Sequence, residues 1–155
     1  MTVRELQTSN VRSVGPDTDL AVVAKLMWEG DCGAVPVVNE ERKVIGMITD
    51  RDICIASATR SKPPADIRAS DVIPTDHGIH AVKADDDVRV AMRTMRKHRV
   101  RRLPVVDQQQ RLAGILSIND LAINASPTLP DSVPAQEFLE TLQAICAHEK
   151  KAAVV

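Results

Sequence analysis

Apolar residues fall at helical spacing in some segments of this chain and in short continuous runs in others. From residue 19 to residue 30 they recur at i, i+3, i+4 and i+7, which predicts a helix with one buried face. Two apolar runs follow, separated by a polar loop at 39–43, and they predict a hairpin. The elements predicted for this part are a strand at 11–14, a helix at 19–30, strands at 34–38 and 44–48, and a helix at about 50–58.

The same order of elements returns later in the chain. It consists of strands at 79–82, 103–106 and 112–116, with helices at about 87–97 and 118–124. A shift of 68 positions places residues 14–55 over residues 82–123 without a gap, and 11 of these 42 pairs are identical. Each copy is therefore predicted to be one supersecondary unit that buries its apolar face against the other.

The pattern predicts an α+β fold with two β-α-β-β-α repeats related by a pseudo-twofold axis. We expect the first repeat at 1–60, a polar surface linker at 61–70, the second repeat at 71–126 and a C-terminal extension at 127–155. The extension is predicted to hold an additional helix at about 135–149, docked on the module or on a partner subunit. Its expected apolar stripe is Phe138, Leu139, Leu142, Ile145 and Cys146.

Composition excludes several classes of function. The 20 basic and 21 acidic residues nearly balance, and the aromatic residues are one Trp and one Phe, which disfavours a nucleic-acid-coating role. No apolar run approaches the roughly 20 residues that span a bilayer, so we expect a cytoplasmic protein. Cys32, Cys54 and Cys146 lack metal-ligand spacing and are interpreted as small hydrophobic residues, with a redox role for Cys32 as the alternative.

One motif occurs in both copies and suits a ribose-phosphate. In residues 46–52 and again in 114–120, a strand leads to a hydroxyl, Thr49 or Ser117, and then to an acid, Asp52 or Asp120, in the first turn of a helix. A helix N-terminus offers amide donors to phosphate, and a carboxylate accepts hydrogen bonds from ribose hydroxyls. The alternative is that the hydroxyls are ordinary helix caps and the acids ordinary first-turn charges.

A basic run, residues 93–102, leads into the second copy's proline-containing strand. Most of its side chains are interpreted as a solvated face, but Arg101 or Arg102 is placed to contact a phosphate. The first copy has Gly33 and Ala34 at the matching positions, so the two sites are predicted to be unequal. DNA binding by this run is disfavoured, since no recognition helix accompanies it.

Other features carry weaker hypotheses. Asp76, His77 and His80 suggest a metal site, but no further ligand is fixed by spacing, so no metal is expected. Trp28, on the polar side of its helix, is interpreted as part of a subunit contact. No nucleophile and base are brought together by the repeat, so the protein is not expected to be an enzyme.

These segments resemble the paired CBS domain, named after cystathionine β-synthase and also called the Bateman module. The resemblance covers residues 3 to about 125 and rests on both Gly-x-x-Thr/Ser-x-x-Asp segments and on the Ala34–Val38 and Arg102–Val106 runs. Residues 49–53 and 144–146 are also similar to the mycobacterial hypoxic response protein 1 group of stand-alone CBS proteins.

The resemblance implies a nucleotide site in each copy, in the cleft between the repeats. The acid at Asp52 or Asp120 would hold the ribose, and the hydroxyl at Thr49 or Ser117 would meet the phosphate. The base would lie against backbone and apolar side chains. In the first copy these are Val14, Pro16, Val35 and Pro36; in the second they are Val82, Ala84, Leu103 and Pro104.

The function that we expect is therefore non-catalytic sensing of an adenosine nucleotide, AMP, ADP or ATP, with no obligatory cofactor. We expect a homodimer paired through helices, with an unknown protein target and no membrane or nucleic-acid partner. The alternative is a dimeric interaction protein with empty clefts, which recruits a partner through its C-terminal helix or its basic surface.

Overall fold

The computed structural model describes residues 1–73 and 78–147. The helices are α1 (Val3–Leu6), α2 (Leu20–Glu29), α3 (Asp50–Arg60), α4 (Val88–His98), α5 (Ile118–Ile123) and α6 (Ala135–Cys146). The strands are β1 (Ala34–Val38), β2 (Val44–Thr49), β3 (Val82–Lys83), β4 (Arg102–Val106), β5 (Leu112–Ser117), β6 (Ala125–Ser126) and β7 (Val133–Pro134). In the described part of the chain, no helix is long and apolar enough to cross a bilayer.

The chain divides into two compact units. The first-repeat unit comprises Ser9–Ile79 and Val106–Gly114, and the second-repeat unit comprises Met1–Thr8, His80–Val105 and the chain from Ile115 onward. Each unit has its own cluster of buried apolar side chains. The predicted mixture of helices and strands in two repeats is confirmed.

In the first-repeat unit, β1 and β2 form an antiparallel hairpin that packs against α2. Val35 and Val37 of β1 join Leu20 and Val23 of α2 in the core. Asp19 begins α2, because its carboxylate accepts a hydrogen bond from the amide of Val22 at 2.9 Å. The bounds predicted for β1 are confirmed, and the helices begin and end within about two residues of their predicted limits.

The strand predicted at 11–14 reduces to a single bridge at Val14. Its amide donates to the carbonyl of Pro36 at 3.0 Å, and its carbonyl accepts from the amide of Val38 at 2.9 Å. In this parallel register the next bond toward the N-terminus would need an amide hydrogen on residue 36, and proline has none. The corresponding strand of the second repeat, β3, likewise begins only at Val82, and Pro104 is the counterpart of Pro36.

The segment predicted as a surface linker is partly core. Ile67 and Ala69 are fully buried in the first-repeat unit; Ile67 lies between the 3-10 turns Pro64–Asp66 and Ala69–Asp71, and Ala69 begins the second turn. The carbonyl of Ile67 accepts from the amide of Leu20 at 2.9 Å. This bond holds the segment against the start of α2. The surface prediction rested on the polar, proline-rich first half of the segment, whereas the buried residues lie in the second half.

The second-repeat unit contains a three-stranded sheet in the order β3-β4-β5. Its core is formed by side chains from α4, β4, β5 and α5, and by Val3 of the short N-terminal helix α1. The amide of Val3 donates to the carbonyl of Asp86 at 2.9 Å, and Thr8 pairs with Ile115. The N-terminal residues therefore belong to the unit of the second repeat.

Helix α6 packs on α4, within the same unit. Arg89 and Arg96 of α4 form ion pairs with Glu137 and Glu140 of α6, at 2.8 and 3.3 Å. The Glu137 carboxylate raises the pKa of Arg89. The expected docking on the module is thus confirmed for the described part of the helix; Glu149 lies outside the described residues.

The buried face of α6 differs from the predicted stripe. Thr141 is fully buried and Ile145 nearly so, whereas Leu139 and Cys146 are exposed. Thr141 tolerates burial because its hydroxyl donates to the carbonyl of Glu137 at 2.7 Å. The prediction counted only apolar residues and so rotated the face by part of a turn.

Candidate functional site

At the junction of β2 and α3, Thr49 and Asp52 form a reciprocal set of hydrogen bonds. Oδ2 of Asp52 accepts from the Thr49 amide at 2.8 Å and from the Thr49 hydroxyl at 2.7 Å. In return, the Asp52 amide donates to the hydroxyl oxygen at 3.2 Å. This is a capping box, so the structural role that the sequence offered as an alternative is present.

Ser117 and Asp120 repeat this arrangement at the junction of β5 and α5. Oδ2 of Asp120 accepts from the Ser117 amide at 2.7 Å and from its hydroxyl at 2.8 Å. The Asp120 amide donates to the hydroxyl oxygen at 3.2 Å. The two units therefore present the same half-buried hydroxyl and carboxylate geometry.

The capping boxes use only one oxygen of each carboxylate. Among the described residues, Oδ1 of Asp52 and Oδ1 of Asp120 accept no hydrogen bond. Each Oδ1 is therefore an available acceptor for a ligand hydroxyl. The hydroxyls of Thr49 and Ser117, in contrast, have already donated their only proton to the aspartate.

Backbone pairing places residues 33, 34 and 101 beside these capping boxes. Thr49 lies opposite Ala34 in the β1-β2 register. The carbonyl of Gly33 lies 3.4 Å from the amide of Asp50, and that of Arg101 lies 2.8 Å from the amide of Ile118. Residues 33 and 101 therefore hold matching places, each next to the first residue of a helix.

Arg101 and Arg102 carry the positive charge of the second site. Arg101 is exposed and Arg102 half-buried, and neither guanidinium bonds to a described residue. Elsewhere in the basic run, Arg96 is held by α6. Helix α5 has only six residues, so its dipole adds little there.

The predicted base-contacting residues are mostly buried. The side chains of Val14, Val35, Val82, Ala84 and Leu103 lie in the two core clusters. Both backbone polar groups of Val14 pair with β1. Pro36 and Pro104 are buried outside the core clusters, and Pro16 is half-buried with its carbonyl bonded to the Ser70 amide at 2.8 Å.

Asp50, the first residue of α3, also lies at the first candidate site. It is exposed, and its Oδ1 accepts from the Arg51 amide at 2.8 Å. Its counterpart in the second repeat is the uncharged Ile118. The sequence already contained this difference: when the two repeats are aligned, an acid in the first matches an apolar residue in the second.

The metal hypothesis falls partly outside the described residues, because Asp76 and His77 belong to the segment 74–77. The His80 ring stacks on that of His98, with ring centroids 3.4 Å apart and planes inclined by 17°. Among the described residues, no group of three potential ligands forms a metal site. All three cysteines are exposed thiols, so interpreting them as packed hydrophobic residues was wrong.

Comparison with known proteins decides the family. The model of the CBS domain matches the chain twice, over residues 3–59 and 69–126. The chain belongs to the CBS domain family. Hypoxic response protein 1 from Mycobacterium tuberculosis is 30% identical over 146 residues, which are 94% of each protein. A CBS domain-containing protein from Bacillus subtilis, YhcV, is 32% identical over 79% of this chain and 84% of its own length.

Solved CBS structures show the same fold. The crystal structure of hypoxic response protein I with two coordinated zinc ions has a TM-score of 0.73 and 31% identity, covering 81% of this chain and all of that one. A CBS domain protein from Pyrobaculum aerophilum, solved with AMP, has a TM-score of 0.69 and 26% identity, covering 78% of this chain and 90% of that one. The likeness extends through both repeats.

Proposed function

We propose that this CBS protein is a non-catalytic regulatory module that binds adenosine nucleotides through Asp52 and Asp120. The proposal rests on the aspartate carboxylate in each unit. Its Oδ2 is held by the capping box, and its Oδ1 remains an acceptor for a ligand. Two adjacent ribose hydroxyls are suitable donors for such an oxygen. The AMP-bound relative supports an adenosine nucleotide as the ligand.

The capping boxes also influence the phosphate contact. The hydroxyls of Thr49 and Ser117 donate to Asp52 and Asp120, so either must exchange that bond before it can donate to a phosphate. Arg101 and Arg102 need no such exchange. We therefore assign the principal phosphate contact in the second repeat to the arginines.

Regulation requires that the ligand favour one conformation of the protein over another. A nucleotide that binds two conformations equally well does not change the equilibrium between them. A partner can therefore respond to the nucleotide only if one conformation binds it more tightly than the other. We propose a regulatory ligand rather than an obligatory cofactor. The three exposed thiols fit a reducing, cytoplasmic location.

Calorimetric titration with AMP, ADP and ATP tests the proposal. The wild-type protein is expected to bind at least one of them, Asp52→Ala and Asp120→Ala are each expected to remove one site, and the double variant to remove both. Each substitution also removes a helix cap, so Asp19→Ala and Asp87→Ala serve as controls, because these residues cap α2 and α4 outside the site. Absence of binding by the wild-type protein at millimolar nucleotide would refute the proposal.

We also propose that two copies associate through the exposed face of α2. Trp28 is 87% exposed there, with Val22 on the same helix. Glu29 forms ion pairs with Arg12 at 3.2 Å and with Lys25 at 3.8 Å, so the charges there are partly compensated, which reduces repulsion between two copies. The matching face of α4 is occupied by α6, and Arg96 stands at the position of Trp28.

The competing proposal is an interaction protein that recruits a partner through α6 or the basic run. One observation favours it: Leu139 is 46% exposed on α6 although the opposite face is docked. Pull-down with the full chain and with Leu139→Lys separates the proposals. Loss of a partner with unchanged nucleotide affinity would support recruitment by α6.

A further inference from the structure

The two sites differ in charge at matching positions. The first set of residues is Gly33, Ala34, Asp50, Arg51 and Asp52, and the second set is Arg101, Arg102, Ile118, Asn119 and Asp120. The first set therefore contains two acids and one base, and the second contains two bases and one acid. Each set also contains a capping aspartate, and the hydrogen bonds of that aspartate have the same geometry in both units.

The differing residues lie beside the capping boxes in the backbone. The carbonyl of residue 33 or 101 lies within hydrogen-bonding distance of the amide of residue 50 or 118. That amide lies two residues before the capping aspartate. Arg101 in one unit and Asp50 in the other are therefore the charged residues next to the start of the helix that carries the aspartate.

These charges are available to a ligand. The guanidinium groups of Arg101 and Arg102 form no ion pair or hydrogen bond with any described residue. Asp50 is exposed, and its carboxylate bonds only to the neighbouring Arg51 amide among the described residues. Arg51 stands between Asp50 and Asp52 in the sequence and supplies the single positive charge of the first set.

We propose that the two sites sort adenosine ligands by charge at the 5′ position. The second set prefers an adenosine 5′-phosphate to adenosine, whereas the first set binds adenosine at least as tightly as its 5′-phosphate. This inference rests on the proposed function. The Asp50 carboxylate repels a phosphate, whereas Arg101 and Arg102 attract one. The matching aspartate of each unit accepts hydrogen bonds from the ribose in the same way.

Adenosine and AMP are the probes, since they differ only in the phosphate. Asp52→Ala leaves the second set as the working site, and Asp120→Ala leaves the first; Asp52→Asn and Asp120→Asn replace them if an alanine variant fails to fold. With the second set alone, we expect AMP to bind at least tenfold more tightly than adenosine. With the first set alone, we expect adenosine to bind at least as tightly as AMP.

Exchanging residues between the two sets tests whether their charges cause the difference in ligand preference. In the Asp52→Ala background, Arg101→Gly with Arg102→Ala is expected to weaken AMP about tenfold and leave adenosine unchanged. In the Asp120→Ala background, Asp50→Ile is expected to strengthen AMP relative to adenosine. Arg93→Ala is the matched control, because Arg93 is exposed on α4 outside the site and forms no ion pair with the residues that the structure describes.

The outcomes separate the two proposals. If both isolated sites bind and prefer AMP to adenosine by the same ratio, charge sorting is wrong while the nucleotide function stands. If only one of the sites binds either probe, the ligand assigned to the other is wrong. If neither probe binds the wild-type protein, the proposed function fails and this inference fails with it.

Discussion

Gly46 shows how a single residue sets the packing of the first-repeat unit. A Cβ built on Gly46 would lie 2.8 Å from Cβ of Ile73 and closer still to its Cγ2. Real side chains do not approach so closely, and Ile73 packs against the core of this unit. The motif that leads to Thr49 and Asp52 therefore begins with glycine because the strand and residue 73 meet there.

We predict that Gly46→Ala destabilises the protein by about 1–3 kcal/mol, because the added methyl group overpacks a filled site. Gly15→Ala is the matched control, since a Cβ on Gly15 has no neighbour within 4 Å. Urea unfolding followed by circular dichroism measures both. Equal midpoints for the two variants would show that Ile73 moves aside without cost.

The hairpin loops illustrate how one element is built twice with different chemistry. In the first repeat, Oδ1 of Asn39 accepts from the amides of Glu41 and Lys43, at 3.0 and 2.9 Å. In the second, Oδ1 of Asp107 accepts from the amides of Gln109 and Arg111, at 2.8 and 2.9 Å. The amide of Arg111 holds the pKa of the Asp107 carboxyl below its ordinary value, and the side chain of Arg111 lowers it further.

This lowered pKa predicts a pH dependence at the position where the first loop has the uncharged Asn39. The stabilisation exists above the unfolded-state pKa of about 4 and is lost as the pH falls through the lower folded-state value. We expect Asp107→Asn to be less stable than the wild type from pH 7 to 5, with a difference that shrinks below about pH 4. Urea midpoints measured across this range test it, and a difference independent of pH would rule out the carboxylate charge as the cause.

The same scale shows why the sequence predicted the elements better than their buried faces. Caps and apolar spacing indicated where α2 and β1 begin and end, because those signals are local. The buried face of α6 depended on Thr141, whose hydroxyl is satisfied within its own helix. A polarity pattern counts such a threonine as solvent-facing and therefore selects the wrong edge of the helix.

The whole molecule is expected to be a dimer that depends on Trp28. Trp28→Lys places a second positive charge beside Lys25 and removes the large apolar contact, so we predict monomers at micromolar concentration. Leu129→Lys is the control, because Leu129 is 66% exposed in the loop before α6 and belongs to the other unit. Sedimentation velocity measures both. A dimer that persists in Trp28→Lys would place the interface elsewhere.

At this scale the sequence predicted the repeat, the fold class and the acids of the candidate site, because a duplicated pattern shows all three. It did not predict which way the strand residues face. In β1, Ala34 to Val37 are all buried, so a continuous apolar run gives no alternation from which to tell the core face from the other. For that reason Val35 and Leu103 were predicted to contact a ligand, although their side chains lie in the cores.

The capping boxes have a consequence for how related genes are interpreted. Asp52 and Asp120 each stabilise a helix start with one oxygen and leave the other to a ligand. A module that lost its ligand would still gain stability from the acid, by roughly 1 kcal/mol for a helix cap. The threonine or serine and aspartate pattern can therefore persist in a descendant that no longer senses anything. Arg101 and Arg102, which pair with nothing in the described ranges 1–73 and 78–147, have no such second task. Their presence or absence in a related gene is therefore the better sign that sensing was kept.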